Sequence, residues 1–181
     1  MTDSVLVRSS RDGDQFHYLW AARRCLQLLA PLSGIVAITI EGASPLEVSH
    51  PGGVKEGEEK IDVAEYHGSQ DLAQATLVRY FQLKHSTLRQ AHPWTPSELK
   101  DTLTGFAKRY TELGKRPQAE HLRKLEFWFV SNRPIGLDFS ETIEDAASGA
   151  PVRRPSEFKE TRSVHRPDWI AAFRVLQAAP V

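Results

Sequence analysis

Residues 78–84 read Val78-Arg79-Tyr80-Phe81-Gln82-Leu83-Lys84. The run over 78–83 is dense in apolar and aromatic side chains, the composition of a β-strand. Side chains along a strand point alternately to its two faces. Val78, Tyr80, Gln82 and Lys84 therefore share one face, and Phe81 and Leu83 share the other. A lysine two residues after a glutamine, at the end of a strand this apolar, has no evident structural motive. Burying a lysine is costly unless it is paired or sheds its proton.

Upstream, 61–66 and Ile35–Ile40 read as two more strands. The first ends at Glu41-Gly42, and a polar, Pro- and Gly-containing loop over 43–59 separates it from the second. Three strands in succession with no helix between them predict an antiparallel meander. A helix precedes them: Asp12 or Asp14 caps it, Phe16, Leu19, Ala22, Leu26 and Leu29 recur at spacings of three and four, and Pro31 and Gly34 stop it. Downstream, Thr95-Pro96-Ser97-Glu98 carries a capping box with proline at the first helical position. Leu99, Leu103, Phe106 and Tyr110 make that helix's apolar stripe, and Gly114 ends it. A buried strand follows over 125–130. The remainder is polar and Pro-rich, with a short helix expected over 140–147 and a closing helix over 168–177 that turns Trp169, Ile170, Phe173 and Leu176 inward. The order α-β-β-β-α-β predicts an α/β fold in which helices flank a mixed central sheet.

Composition bounds the function. With 181 residues, 40% hydrophobic and 25% charged, the chain is long and apolar enough for one domain with a real core. Net charge is zero, so this is no polycationic coat for nucleic acid. The basic residues of the second half gather at Lys108, Arg109, Lys115, Arg116, Arg123 and Lys124, which read either as a solvated helix end and loop or as a phosphate-binding patch. One cysteine, Cys25, excludes an internal disulfide framework and fits a reducing cytoplasm. The N-terminus does not read as a signal peptide, and no apolar run reaches the roughly 20 residues of a membrane helix. The seven histidines lack zinc-ligand spacing, and no glycine cluster makes a P-loop or a dinucleotide fingerprint. Trp94, between Pro93 and Thr95, is the one tryptophan left open as a base-stacking residue.

In a meander the start of one strand lies beside the end of the next. Asp62 at the start of the second strand then comes near Lys84, with Glu41 at the end of the first. Two carboxylates and the Gln82 amide carbonyl are hard oxygen donors of the kind magnesium takes. A metal there lowers the pKa of a bound water, and Lys84 stabilises charge developing on a phosphate. Glu65 is the alternative second carboxylate; its parity puts it on the opposite sheet face unless a bulge intervenes.

An acidic residue on one strand followed by (D/E/Q)xK on its neighbour, here Ile61-Asp62-Val63 and Gln82-Leu83-Lys84, resembles the PD-(D/E)xK signature of restriction-endonuclease-like nucleases. The element order matches that superfamily's core, and the glutamine form is similar to Mrr-type enzymes. Gly13-Asp14-Gln15-Phe16-His17-Tyr18, Ile40-Glu41-Gly42 and Tyr80-Phe81-Gln82-Leu83-Lys84-His85-Ser86 resemble more closely the double-stranded DNA endonuclease effectors of bacterial antiphage defence. Those include nucleases associated with CD-NTase (CBASS) systems and the N-terminal domains of STAND (AVAST) ATPases. The resemblance covers about residues 11–132, and 133–181 form an extension outside it. It implies a bacterial, cytoplasmic, Mg2+-dependent (or Mn2+-dependent) endonuclease cutting double-stranded DNA with little sequence preference. The catalytic residues would be Asp62, Gln82, Lys84 and Glu41, with Asp62, Gln82 and Glu41 on the metal, and Gln15 of the first helix reaching the site. It also implies that the chain is the N-terminal effector part of a longer protein, with a sensor and oligomerisation domain elsewhere and activity that needs oligomerisation. The sequence departs from the signature in two places: Ile61 stands where a proline is usual, and Gln82 replaces the commoner acid. These departures leave an alternative, a catalytically silent nucleic-acid-binding or docking module on the same fold.

Overall fold

The computed structural model describes residues 3–48, 53–115, 119–137 and 173–177. Helix α1 (Asp3–Cys25) runs into a 3-10 turn at Leu26–Leu29 and leads to β1 (Ile35–Ile40). A one-turn helix, α2 (Pro45–Val48), follows, then β2 (Val63–His67) and β3 (Leu77–Lys84). Helix α3 (Pro96–Gly114) crosses to β4 (Leu125–Ser131), and β5 (Phe173–Gln177) completes the sheet. The strands lie in the order β1-β2-β3-β4-β5. β1, β2 and β3 form the expected antiparallel meander. β4 joins β3 in parallel, and β5 joins β4 in parallel. The sheet is therefore mixed, and the α/β architecture expected from the sequence is the one found.

Two cores lie on its two faces. Phe16 and Ala21 of α1 bury against Val63, Phe81, Leu83 and Val130. Leu99, Leu103, Phe106, Tyr110 and Leu113 of α3 bury against Ala64, Tyr66, Val78, Tyr80, Phe127 and Phe129. The period-two alternation of β3 divides its side chains between these layers as the sequence predicts. The α3 cap is the predicted one: Thr95 accepts from the Glu98 N–H at 3.4 Å, and the Glu98 carboxylate accepts from the Thr95 N–H at 3.0 Å.

Three expectations are corrected. Of the closing helix expected over 168–177, the described part, Phe173–Gln177, is instead a strand paired in register with β4, from Phe127↔Phe173 to Ser131↔Gln177, and 168–172 lie outside the described residues. β4 without a second neighbour would present a row of unpaired peptide groups, and β5 satisfies them. Secondly, α1 starts at Asp3, ahead of the predicted caps. Thirdly, Arg109 belongs to no surface patch: it is fully buried, while Lys108 and Lys115 are exposed. Arg116 and the short helix expected over 140–147 lie outside the described residues.

Arg109 is the centre of a polar network beneath α3. Its Nη2 pairs with Glu47 Oε1, and Nη1 donates to the Val54 carbonyl at 3.1 Å. The Tyr80 hydroxyl donates to Glu47 Oε1 at 2.7 Å and the Tyr66 hydroxyl to Oε2 at 2.8 Å. The Ser44 N–H donates in turn to the Tyr66 oxygen at 2.7 Å. Burial and the neighbouring Glu47 charge push both phenols up, so they remain donors at any physiological pH. This network ties α2 and the loop before β2 to the sheet. That loop turns at Gly57 (φ 73°), where a Cβ would come 2.3 Å from the Gly105 carbonyl oxygen of α3, so the contact requires glycine.

Candidate active site

β3 outruns β2. Their register pairs Val63 with Phe81, and β2 begins there. One step further the regular pairing breaks: the Asp62 N–H also donates to the Phe81 carbonyl, at 2.9 Å, so Asp62 and Val63 both lie opposite Phe81, the pattern of a β-bulge. On the other side β1 pairs Ile40 with Val63, and the Glu41 N–H donates to the Asp62 carbonyl at 2.8 Å. Glu41, Asp62 and Gln82 are thus neighbours across the ends of three adjacent strands. Glu41 adopts φ 60°, a left-handed conformation that costs a non-glycine residue roughly 1 kcal/mol or more and that is commonest at functional sites. Gly42 follows with φ 136°, and its carbonyl accepts from the Thr39 hydroxyl at 2.7 Å, closing the turn.

Asp62 is half-buried, and its Oδ2 accepts from the Leu83 N–H at 2.6 Å. Burial raises its pKa; the Leu83 hydrogen bond and the charges of His17 and Lys84 oppose that rise, and Glu41 adds to it. Glu41, Lys84 and His17 are therefore each within electrostatic reach of Asp62. Asp62 and Glu41 line a small pocket, about 110 Å³, together with Ile40, Val63, Leu83 and three residues of α1: Asp14, His17 and Tyr18. Lys84 is exposed at its strand end.

Gln82 is placed differently from its two acidic neighbours. Its strand parity turns it toward the α3 face, it is buried, and its Oε1 has no hydrogen-bond partner. Asp62 bonds the residues on either side of it, Phe81 and Leu83, but Gln82 itself does not line the pocket. Among the described residues no group of three or more His, Cys, Asp or Glu side chains is gathered for a metal ion. A divalent cation here would take the Asp62 and Glu41 carboxylates, with waters completing its shell. Magnesium accepts such a set because it keeps several waters. The raised Asp62 pKa is a feature that a cation in the pocket would relieve, whereas the orphaned Gln82 oxygen lies outside the pocket lining. The two pocket carboxylates, with waters, are the donors that fit the ion.

Glu65, the alternative second carboxylate, does not line this pocket. It is fully buried on the α1 face, where Arg24 Nε bonds its Oε1 and Arg79 Nη1 lies 3.7 Å from its Oε2. The parity expected to separate it from Asp62 does not hold, because Asp62 also lines a pocket on the α1 side; what sets Glu65 apart is its pairing with Arg24 and Arg79. Gln15 is exposed and absent from the pocket lining; His17, two residues on, reaches in instead. His17 Nε2 lies 2.8 Å from the Leu83 carbonyl oxygen. Nothing local in the sequence singles out His17, because its partner is 66 residues away. Trp94 is no stacking platform: its Nε1 donates to Ser131 Oγ at 2.8 Å, and the Arg133 guanidinium lies 3.9 Å from its ring centroid.

No protein-family model matches this chain, and no curated protein matches it significantly. Among the described residues no helix is long and apolar enough to cross a membrane.

Proposed function

We propose that this chain is a metal-dependent endonuclease of double-stranded DNA, with Asp62, Glu41, Gln82 and Lys84 as its catalytic group. The observation that carries the reading is the row Glu41–Asp62–Gln82 across three strand ends, with Lys84 two residues beyond Gln82. A strand end where the backbone ladder runs out can gather such groups from adjacent strands; Asp62 and Glu41 line the pocket there, Lys84 is exposed and Gln82 is buried behind them. Asp62 and Glu41 would hold Mg2+ or Mn2+ with waters completing the shell, and Gln82 would join as a neutral donor only by turning from its buried position toward the pocket. When bound, the ion polarises a phosphoryl oxygen and acidifies a water. The exposed Lys84 ammonium is free to meet the negative charge that builds on the phosphate as water attacks phosphorus and the P–O bond breaks.

The chain's zero net charge leaves little electrostatic capture of DNA, which suits an effector brought to its substrate by another domain. The sequence resemblance gives that domain a role: sensing infection and clustering the nuclease in a bacterial antiphage system. Cutting both strands takes two sites, hence an oligomer.

The test is cleavage of supercoiled plasmid with Mg2+, Mn2+ or EDTA, by the wild-type chain and Lys84→Ala, each also artificially dimerised. Metal-dependent linearisation that Lys84→Ala reduces by roughly 100-fold or more supports the reading. No cleavage by the dimerised wild type, together with salt-dependent DNA binding that ignores both magnesium and Lys84→Ala, would instead establish a silent binding module.

A further inference from the structure

In an extended strand the N–H and C=O of one residue point to the same side, and those of the residue two positions on do so again. The Phe81 carbonyl accepts from the Asp62 N–H, so the peptide groups of Leu83 also point toward the β2 side. β2 does not reach that far. Two side chains replace the missing strand. Asp62 Oδ2 takes the Leu83 N–H at 2.6 Å, and His17 Nε2 meets the Leu83 carbonyl at 2.8 Å. Only a protonated Nε2 makes that second bond, so the ring nitrogen donates and the carbonyl accepts.

We propose that His17 is a positioning residue of the candidate active site. By holding the Leu83 carbonyl it fixes the strand end that carries Gln82 and Lys84. The inference rests on the nuclease reading and adds to it a residue of α1. Helix α1 grips β3 on both sides of Lys84: His17 bonds Leu83, and the buried Phe16 ring stacks on His85 with centroids 5.0 Å apart. The Asp12 carboxylate accepts from the Thr87 hydroxyl at 3.0 Å, extending the seam. Among the described residues no ion pair holds the Lys84 ammonium, so its place depends on its backbone. His17 also lines the pocket beside Asp62 and Glu41, which puts this brace at the site itself.

The experiment compares wild type with His17→Leu, which removes the donor, and His17→Gln, whose amide nitrogen can stand where Nε2 stood. Amide exchange at residues 82–84 and the Leu83 carbonyl chemical shift are read by NMR, and plasmid cleavage is resolved into kcat and KM. We expect His17→Leu to speed exchange at Leu83 and Lys84, to shift the Leu83 carbonyl, and to lower kcat roughly 100-fold with KM unchanged. His17→Gln should restore all three. Unchanged exchange and carbonyl shift in His17→Leu would overturn the brace, and altered exchange with wild-type kcat would overturn its role in positioning. If His17→Leu does not fold, His17→Asn, too short to reach the carbonyl, takes its place. If the wild type cuts no DNA, the nuclease reading falls, and the brace stands or falls on the NMR data alone.

Discussion

Glu47 and Asp62 are both withdrawn from water, one beneath α3 and one at the strand ends, and their surroundings differ in kind. Glu47 has a guanidinium and two phenols on its two oxygens, and every one of those partners is itself buried. Asp62 has one backbone N–H on one oxygen and another carboxylate beside it, and the amide of nearby Gln82 has an unpartnered oxygen. A polar cluster that is complete behaves as structure, whereas one left incomplete costs stability until something fills it. Active sites belong to the second kind because they are shaped for a substrate or an ion that the fold alone does not supply. The difference yields opposite signs for mutations in the two regions.

The largest effect is expected in the complete cluster. Arg109→Met leaves a buried Glu47 carboxylate without its cation and should lower stability by about 3–5 kcal/mol in denaturant unfolding. A smaller loss would mean that the tyrosines alone suffice. Next comes Gln82→Met, which removes an unsatisfied buried amide. It should raise metal-free stability by about 1 kcal/mol while weakening the dependence of cleavage on magnesium concentration. A drop in stability would show that Gln82 has a structural partner and would dissolve the contrast.

Asp62→Asn should also stabilise the metal-free protein, and the gain should depend on pH. Burial raises the Asp62 pKa, so the folded state binds its proton more readily than the unfolded chain does. Stability therefore falls as pH rises from the ordinary carboxylate value through the raised one, and is level above it. The stabilisation by Asp62→Asn should be full at neutral pH and absent below the ordinary carboxylate range, while cleavage is lost throughout. Thermal unfolding at several pH values measures the first, and the plasmid assay the second. An equal gain at every pH would assign the effect to packing. The smallest effect on cleavage is expected from Glu65→Gln: it disturbs the Arg24 and Arg79 pairing, and cleavage per folded molecule should stay near wild type. A large loss would bring Glu65 back as a site carboxylate.

What is legible in the sequence follows from the range of each interaction. β1 and the Thr95–Glu98 cap of α3 can be read to the residue because composition and capping act over a few positions. The neighbours Glu41, Asp62 and Gln82 are legible because a meander fixes which strand ends meet. Arg109 reads wrongly as a surface residue because its partner Glu47 lies 62 residues away and nothing local marks an arginine on a helix as buried. His17 escapes notice for the same reason. β5 reads as a helix because Trp169, Ile170, Phe173 and Leu176 fit a helical stripe, while its actual determinant is the free edge of a strand more than forty residues earlier.

That edge has a practical consequence. Phe127, Phe129 and Val130 of β4 are fully buried, and β4 donates and accepts along both sides, to β3 and to β5. A fragment trimmed to the motif-bearing part, ending near residue 137, would strip one side of β4 and leave a greasy, hydrogen-bond-hungry ribbon open to any other chain. Such a fragment should aggregate or pair with itself through that ribbon. An expression trial that stops there would be testing the loss of β5, and its failure would say nothing about the strand-end acids.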